Sequence, residues 1–171
     1  APDADMQSYT AGAVANDGEI TTEKQGAAML IGSQVENRGR VVSPEGQIGF
    51  AAGNEVELAP DESGKRRYLV KVGAIPGVAV NRAEGAVTAD SGVIGMYGRQ
   101  VIQDGTARAV SAIGKSGVIE LLATDAISLG KESRTESPVS NSTESFHESF
   151  EFTGGDIQLK GLMPVVDTAP D

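Results

Sequence analysis

The sequence predicts an all-β fold, a parallel β-helix (solenoid) with coils of about 21 residues and polar loop excursions. Three observations predict it. Similar blocks of sequence recur at a fixed spacing, apolar residues alternate within each block, and glycine supplies 22 of the 171 residues. Glycine is thus nearly twice as frequent as in average proteins, where it is about 7% of residues, and it permits the corners that stacked coils require.

The repeat is clearest in the first 60 residues. Two blocks align without gaps at a displacement of 21, which gives five matched pairs: Asn16 with Asn37, Gly18 with Gly39, Ile20 with Val41, Met29 with Phe50, and Gly32 with Gly53. A displacement of 46 then relates two further sets of residues: Gly39, Val41, Gly46, Ile48 and Phe50 match Gly85, Val87, Gly92, Ile94 and Met96. We interpret 46 as about two periods, with an intervening copy at YLVKVG, residues 68–73. A last copy runs through Gly117, Ile119 and Leu121 to Ile127 and Leu129.

Within each copy the apolar residues alternate with small or polar ones, which is the signature of strands because successive side chains point to opposite faces. The alternation predicts one continuous core built from Ile48, Phe50, Val70, Ile94, Met96, Ile119 and Leu121. It places another set of residues on the outer face: Gly49, Ala51, Lys71, Gly95, Tyr97 and Glu120. Residues 118–127 also fit helical spacing, but the register that they share with Ile48 and Ile94 favours a strand.

Asparagine and glycine are expected at the corners of the coils, because both tolerate positive φ. Stacked asparagines can also exchange amide hydrogen bonds between neighbouring coils. Asn16 and Asn37 are predicted to form such a pair.

The segments between the copies define the organisation of the chain. We predict one domain over residues 1–171, with core coils at about 14–129, a polar loop at 132–148, terminal strands at 149–160 and a C-terminal tail at 161–171. Residues 61–67, DESGKRR, form a second polar loop between copies. The loop at 132–148 is rich in Ser, Thr and Glu, a composition typical of exposed segments.

Composition excludes several functional classes. The formal net charge of −10 disfavours nucleic acid and anionic lipid as partners, because like charges repel. The chain has no cysteine, so it has no disulfides and no thiolate metal ligands. No apolar run approaches the ~18 residues that a membrane helix needs, and the first residues, APDADMQSYT, lack the pattern of a signal peptide.

Two basic candidates for catalysis are weak. Lys115 lies in AIGKSG, which contains the Gly-Lys-Ser of a phosphate loop, but Ala109 stands where that motif requires glycine. A turn with Lys115 in solvent is therefore expected. His147 is the only histidine, and a single histidine supports neither a multi-histidine metal site nor a serine–histidine relay with any accompanying pattern. We expect it to be a surface residue.

The acidic pairs Asp3/Asp5 and Asp61/Glu62 offer carboxylate oxygens to a weakly held cation, but no calcium-loop pattern accompanies them. Asn141 begins an Asn-Ser-Thr glycosylation sequon, which matters only where a glycosylating enzyme meets the chain. The sequence therefore predicts no catalytic residues, no cofactor and no metal site.

Three stretches in order resemble the secretion and adhesin domains of two-partner-secretion exoproteins, the filamentous-haemagglutinin-like family. They are VENRGRVVSPEGQIGFAAGNEVELA, then YLVKVG, then VNRAEGAVTADSGVIGMYGRQVI, and the resemblance covers about residues 14–129. It implies a right-handed β-helix, export through an outer-membrane β-barrel transporter, and adhesion at the bacterial surface. The chain departs from the family in having no Asn-Pro, which the Asn-Pro-Asn-Gly-type motif of the family's N-terminal cap contains.

The leading expectation is a non-enzymatic fragment of a large secreted bacterial surface exoprotein, acting in adhesion or as a stalk. Host-cell or matrix glycans or proteins are the expected partners. Two alternatives remain open. One is an extracellular filament subunit that associates end to end, and the other is a β-helical polysaccharide-degrading enzyme, which would need acids and bases clustered on one face.

Overall fold

The structure is a computed structural model that describes residues 12–72, 77–110 and 117–138, together with the backbone of two strands at 156–161 and 165–167. Within these ranges the regular structure consists of sixteen β-strands and no helix. The strands are β1 (Ala13–Asn16), β2 (Glu19–Thr21), β3 (Ala27–Gly32), β4 (Gln34–Asn37), β5 (Arg40–Val42), β6 (Gln47–Ala52), β7 (Val56–Pro60), β8 (Tyr68–Val72), β9 (Val78–Asn81), β10 (Ala86–Thr88), β11 (Val93–Gln103), β12 (Thr106–Arg108), β13 (Val118–Leu129), β14 (Arg134–Glu136), β15 (Asp156–Gly161) and β16 (Val165–Asp167).

The strands form three sheets. The largest has nine strands and contains the path β1-β4-β9-β11-β13-β15, with β3, β6 and β16 attached beside it. A five-stranded sheet has the order β14-β12-β10-β5-β2, and β7 pairs with β8 in a separate two-stranded sheet. Every pairing in the two larger sheets is parallel, whereas β7 and β8 are antiparallel.

The predicted fold class, a single right-handed parallel β-helix with uniform coils, is wrong. The parallel sheets instead form a nearly closed, barrel-like arrangement of several sheets. The uniform period fails at the displacement of 46, which we interpreted as two coils. The supposed middle copy, YLVKVG, supplies β8, and β8 turns back on β7 as an antiparallel hairpin.

The register predicted from the repeat is confirmed for most of the parallel pairs. It is wrong between β3 and β6, where Met29 stands opposite Gly49 rather than Phe50, and Gly32 stands opposite Ala52 rather than Gly53. Asn16 stands opposite Asn37 in the β1–β4 pair. Ile48 stands opposite Ile94 in β6–β11, and Ile94 in turn opposite Ile119 in β11–β13. Residues 118–127 belong to strand β13, so the strand interpretation of that segment is confirmed over the helical one.

The core lies where the inward faces of the parallel strands meet. Six of the seven residues predicted to build it do so: Ile48, Phe50, Ile94, Met96, Ile119 and Leu121 are each at most 1% exposed and belong to one apolar cluster. Val70 is the exception, because it lies half-buried on the hairpin rather than within the core. Among the described residues, branched and aliphatic side chains thus fill the core together with one phenylalanine, Phe50.

Buried amide side chains link the stacked strands beside this core. Asn16 donates to Asn37 Oδ1 at 2.8 Å, Asn37 donates to Asn81 Oδ1 at 2.9 Å, and Asn81 donates to Gln103 Oε1 at 2.8 Å. Gln103 then donates to the carbonyl of Arg134 at 3.0 Å. The predicted asparagine pair is confirmed, and it is the first step of a longer ladder. Each amide satisfies its neighbour, so these polar groups are buried without losing their hydrogen bonds.

Glycine is required where successive turns of the backbone touch. A Cβ at Gly92 would collide with the carbonyl oxygen of Gly46, and one at Gly46 would collide with that of Gly26. The residue before each of these glycines, Gln25, Glu45 or Ser91, has a positive φ. The three turns therefore stack closely and place residues 25 and 45 side by side at one end of the sheets.

The predicted polar segment at 132–148 begins with regular structure. Residues Arg134–Glu136 form β14, which pairs with β12 at the edge of the five-stranded sheet. Residues 139–148 lie outside the described residues, as do residues 149–155. Of the predicted terminal strands at 149–160, the structure describes residues 156–160, and these belong to β15.

Candidate functional site

The hairpin β7–β8 lies against β6, β11 and β13 on the outer face of the large sheet, and this changes the environment of the residues beneath it. Gly49, Ala51, Gly95 and Tyr97 were predicted to face outward, yet all four are buried. Tyr97 is only 4% exposed. Lys71, on β8 itself, is exposed as predicted. Part of the outer face of β6 and β11 is therefore an internal surface between the sheet and the hairpin, whereas Gly49 is covered by the Met29 side chain of β3.

The absence of a side chain at Gly95 leaves room for a buried polar cluster. A Cβ at that position would collide with the Tyr97 ring, which folds over the glycine. Gly95 stands opposite Glu120 in the β11–β13 register, so the Tyr97 hydroxyl reaches Glu120 Oε2 and donates to it at 3.3 Å. Glu120 is only 6% exposed and needs a compensating cation.

Arg66, from the hairpin loop, supplies that cation. Its Nη1 donates to Glu120 Oε2, and its Nε lies 3.5 Å from Asp61 Oδ2. The side chains of Arg66, Glu120 and Asp61 are 13%, 7% and 6% exposed. The hydrogen bond to Glu120, more than any other contact, raises the pKa of Arg66 above its ordinary value. The cluster therefore fastens the hairpin loop to the sheet by a buried ion pair.

Asp61 has a structural role in the loop. Its Oδ1 accepts hydrogen bonds from the Ser63 hydroxyl at 2.6 Å and from the Ser63 amide at 2.9 Å. These two bonds hold the pKa of Asp61 below its usual range. Because its other oxygen faces Arg66, Asp61 does not join Glu62, which is exposed, in the cation pair considered from the sequence.

Gln47 holds the other side of the loop. It is 1% exposed, its Nε2 donates to the carbonyl of Tyr68 at 2.8 Å, and its Oε1 accepts from the amides of Tyr68 and Arg67 at 2.8 and 3.1 Å. The Gln47 side chain thus forms hydrogen bonds with three backbone groups. Two belong to Tyr68, the first residue of β8, and one belongs to Arg67, the residue before β8. Gln47 and Arg66 together fix the position of the loop relative to the sheet.

A cleft of about 330 Å³ opens between the hairpin loop and the stacked turns. Its walls are glycine and polar residues: Gln25, Glu45 and Gln47 on the sheet side, and Lys65, Arg66 and Arg67 on the loop side. Glu45 is paired with Lys24, whose Nζ lies 3.1 Å from its Oε1. Lys65 and Arg67 are exposed, and no described residue forms an ion pair with either side chain. Two uncommitted cations therefore border the cleft.

The other residues considered from the sequence fall outside this site. Lys115, His147, Asn141 and the pair Asp3/Asp5 lie outside the described residues. Within the described ranges, no three histidine or acidic side chains come together in a way that could hold a metal ion. In the same ranges there is no helix long and apolar enough to cross a membrane.

The sequence missed Arg66, Tyr97 and Glu120 as members of one cluster. Arg66 and Glu120 are 54 positions apart and belong to no shared repeat. One signal was present: the run of small residues Gly49, Ala51 and Gly95 on a face that was expected to meet water. Small residues on an outer face are typical of a surface that another element covers.

No protein-family model, curated protein or solved structure matches the chain.

The buried phenol makes stability depend on pH in the alkaline range. Burial, reinforced by the Glu120 carboxylate, raises the pKa of Tyr97 above its ordinary value of about 10. Above pH ~10 the folded state thus retains a proton that the unfolded state releases. The contribution of the neutral Tyr97 phenol to the free energy of unfolding is therefore complete below pH ~10 and declines as the pH rises further. We expect the loss to approach 1.4 kcal/mol per pH unit. Tyr97→Phe should unfold with a shallower dependence between about pH 10 and pH 12, measured by urea denaturation.

Tyr68→Phe is the control for removing a hydroxyl, because Tyr68 lies on the hairpin and outside the cluster. Identical alkaline slopes for wild type and Tyr97→Phe would contradict the burial of a neutral phenol at this position.

Proposed function

We propose that this protein is a non-enzymatic part of a large secreted bacterial surface protein, and that it mediates attachment through the β7–β8 hairpin. One observation carries the proposal: the hairpin is a separate two-stranded sheet fastened over a stack of parallel strands, with its loop and outer side chains exposed. Exposed loops positioned by a rigid scaffold are where binding residues concentrate. Leu69, 49% exposed beside the basic loop, adds an apolar contact to the same surface.

The stack of parallel strands supports this role because it is a rigid scaffold. Its buried amide side chains form hydrogen bonds with one another, and its apolar side chains fill one core. The scaffold therefore has little freedom to rearrange when the hairpin binds a partner. Attachment then loses little conformational entropy. We propose export through an outer-membrane β-barrel transporter, display at the cell surface, and host-cell or matrix glycans or proteins as binding partners, in keeping with the family that the sequence resembles.

The experiment compares adhesion of protein-coated beads to cultured host cells. The triple variant Lys65→Ser, Arg67→Ser, Leu69→Ser removes three exposed side chains of the hairpin and retains the Arg66 anchor. The control variant, Arg40→Ser with Lys131→Ser, removes the same two charges from exposed positions elsewhere. We expect the triple variant to lose most attachment and the control to keep it, both with wild-type circular dichroism. Equal attachment by the two variants would refute the role of the hairpin.

A second candidate function is a self-assembling filament subunit, and the edges of the sheets favour it. Among the described strands, β1 pairs only with β4, and β2 only with β5. Each therefore leaves one edge of backbone groups free of described strands, and such edges are templates for strand addition. Sedimentation velocity tests this function: assembly that grows with concentration supports it, and a monomer at all concentrations excludes it.

A further inference from the structure

We infer that the cleft between the hairpin loop and the stacked turns binds a single carboxylate-bearing sugar at the end of an otherwise neutral glycan. This inference rests on the proposed function and names the chemical class of ligand that the hairpin takes. It concerns the cleft of about 330 Å³ bordered by Lys65 and Arg67.

The charges of the cleft match one anionic group. Lys65 and Arg67 have no ion-pair partner among the described residues, while Arg66 is neutralised by Glu120 and Glu45 by Lys24. These two cations share one short loop with an exposed carboxylate, Glu62, which is not among the residues that line the cleft. The formal net charge of the whole chain is −10. Extended polyanions are repelled by such a chain, whereas a lone carboxylate meets mainly the local positive field. Arginine adds geometry to this attraction, because its planar guanidinium binds a carboxylate through two parallel hydrogen bonds.

The walls of the cleft match a ligand rich in hydroxyl groups. No apolar side chain lines it, and its described lining is glycine backbone together with amide, carboxylate and basic side chains. Glu45 and Gln25 are exposed or partly exposed at the rim, where they offer oxygen acceptors to sugar hydroxyls. The volume lies at the lower end of ligand pockets, about 300–1,000 Å³, which favours one sugar ring over a longer segment.

The cationic side of the cleft is held in place before any ligand arrives. Gln47 accepts from the Arg67 amide at 3.1 Å, and the buried contact of Arg66 with Glu120 lies between the two free cations in sequence. The backbone that carries Lys65 and Arg67 is thus fixed from both sides. Pre-organisation of this kind lowers the entropy cost of binding.

The test is isothermal titration of the full chain with sialyllactose, a trisaccharide in which one terminal carboxylated sugar is attached to lactose. Lactose itself is the neutral counterpart. We expect sialyllactose to bind at least tenfold more tightly than lactose. Lys65→Gln with Arg67→Gln should weaken sialyllactose binding roughly tenfold to a hundredfold. The matched control, Lys131→Gln with Arg40→Gln, removes equal charge from exposed positions outside the cleft and the hairpin and should bind as wild type does.

Equal affinity for sialyllactose and lactose, or no binding of either, would overturn the inference. So would tighter binding of lactose sulfate than of sialyllactose, because a sulfate preference contradicts a carboxylate site. Equal weakening by the two double variants would also overturn it, since that result reflects net charge alone. These outcomes are distinguishable from failure of the proposed function. If the hairpin triple variant loses cell attachment while wild type ignores sialyllactose, attachment stands and the ligand class is wrong.

Discussion

Ile94→Asp should leave the protein unfolded at 25 °C. Ile94 is 1% exposed and stands in register between Ile48 on β6 and Ile119 on β13. A carboxylate at this position would have only apolar neighbours in the core cluster and no cation to pair with. We expect a loss of at least about 5 kcal/mol, comparable with the whole stability of many domains. Circular dichroism and urea denaturation measure it.

Ile31→Asp is the matched control, because it makes the same chemical change at a side chain that is 38% exposed. It should cost less than about 1 kcal/mol, as surface substitutions commonly do. Wild-type-like melting of Ile94→Asp would refute the stacking register of β6, β11 and β13.

Breaking the buried ion pair under the hairpin should have the next largest effect. Arg66→Ala leaves Glu120 buried without a countercharge, and we expect a cost of about 3–5 kcal/mol in free energy of unfolding. Glu120→Ala should cost a similar amount, because it leaves the Arg66 guanidinium buried without this countercharge. The double variant should be more stable than the sum of the single losses predicts, with a coupling energy of roughly 1–3 kcal/mol. Denaturation of wild type, the two single variants and the double variant by guanidinium chloride completes this double-mutant cycle.

An exposed ion pair is the control for this cycle. Arg38 contacts Asp17 at 2.6 Å, with side chains 44% and 64% exposed. Arg38→Ala should leave the free energy of unfolding nearly unchanged, because solvent screens such pairs. If Arg66→Ala cost no more than Arg38→Ala, the hairpin would not be fastened by this contact, and the fixed geometry of the cleft would lose its support.

The contrast between these two ion pairs also shows which contacts the sequence alone could predict. Arg38 and Asp17 are 21 positions apart, at the displacement that the repeat reveals, so their contact follows from the register. Arg66 and Glu120 obey no such spacing. Their contact depends on where a hairpin lies on a sheet, and alternation along a strand carries no information about that.

The sequence by itself determined most of the neighbours along the parallel stack, although it placed Met29 opposite Phe50 where the structure has Gly49. The displacement of 21 predicted the Asn16–Asn37 hydrogen bond, and alternation predicted the burial of Ile94 and Ile119. Both succeed because side chains alternate with a period of two along each strand, and this pattern specifies the register wherever one face of the strands is buried. The sequence also determined that residues 118–127 form a strand.

Only the tertiary structure decided how many sheets form, how nearly they close, and what covers the outer face. A parallel register is compatible with one solenoid or with several sheets in a barrel-like arrangement, because neighbouring strands make the same hydrogen bonds in both. The direction of β8 was settled by its pairing with β7, a contact between strands with no repeat between them. Burial of Tyr97 and Glu120 followed from the docking of that hairpin. Their cluster, and the cleft beside it, arise from packing between distant segments.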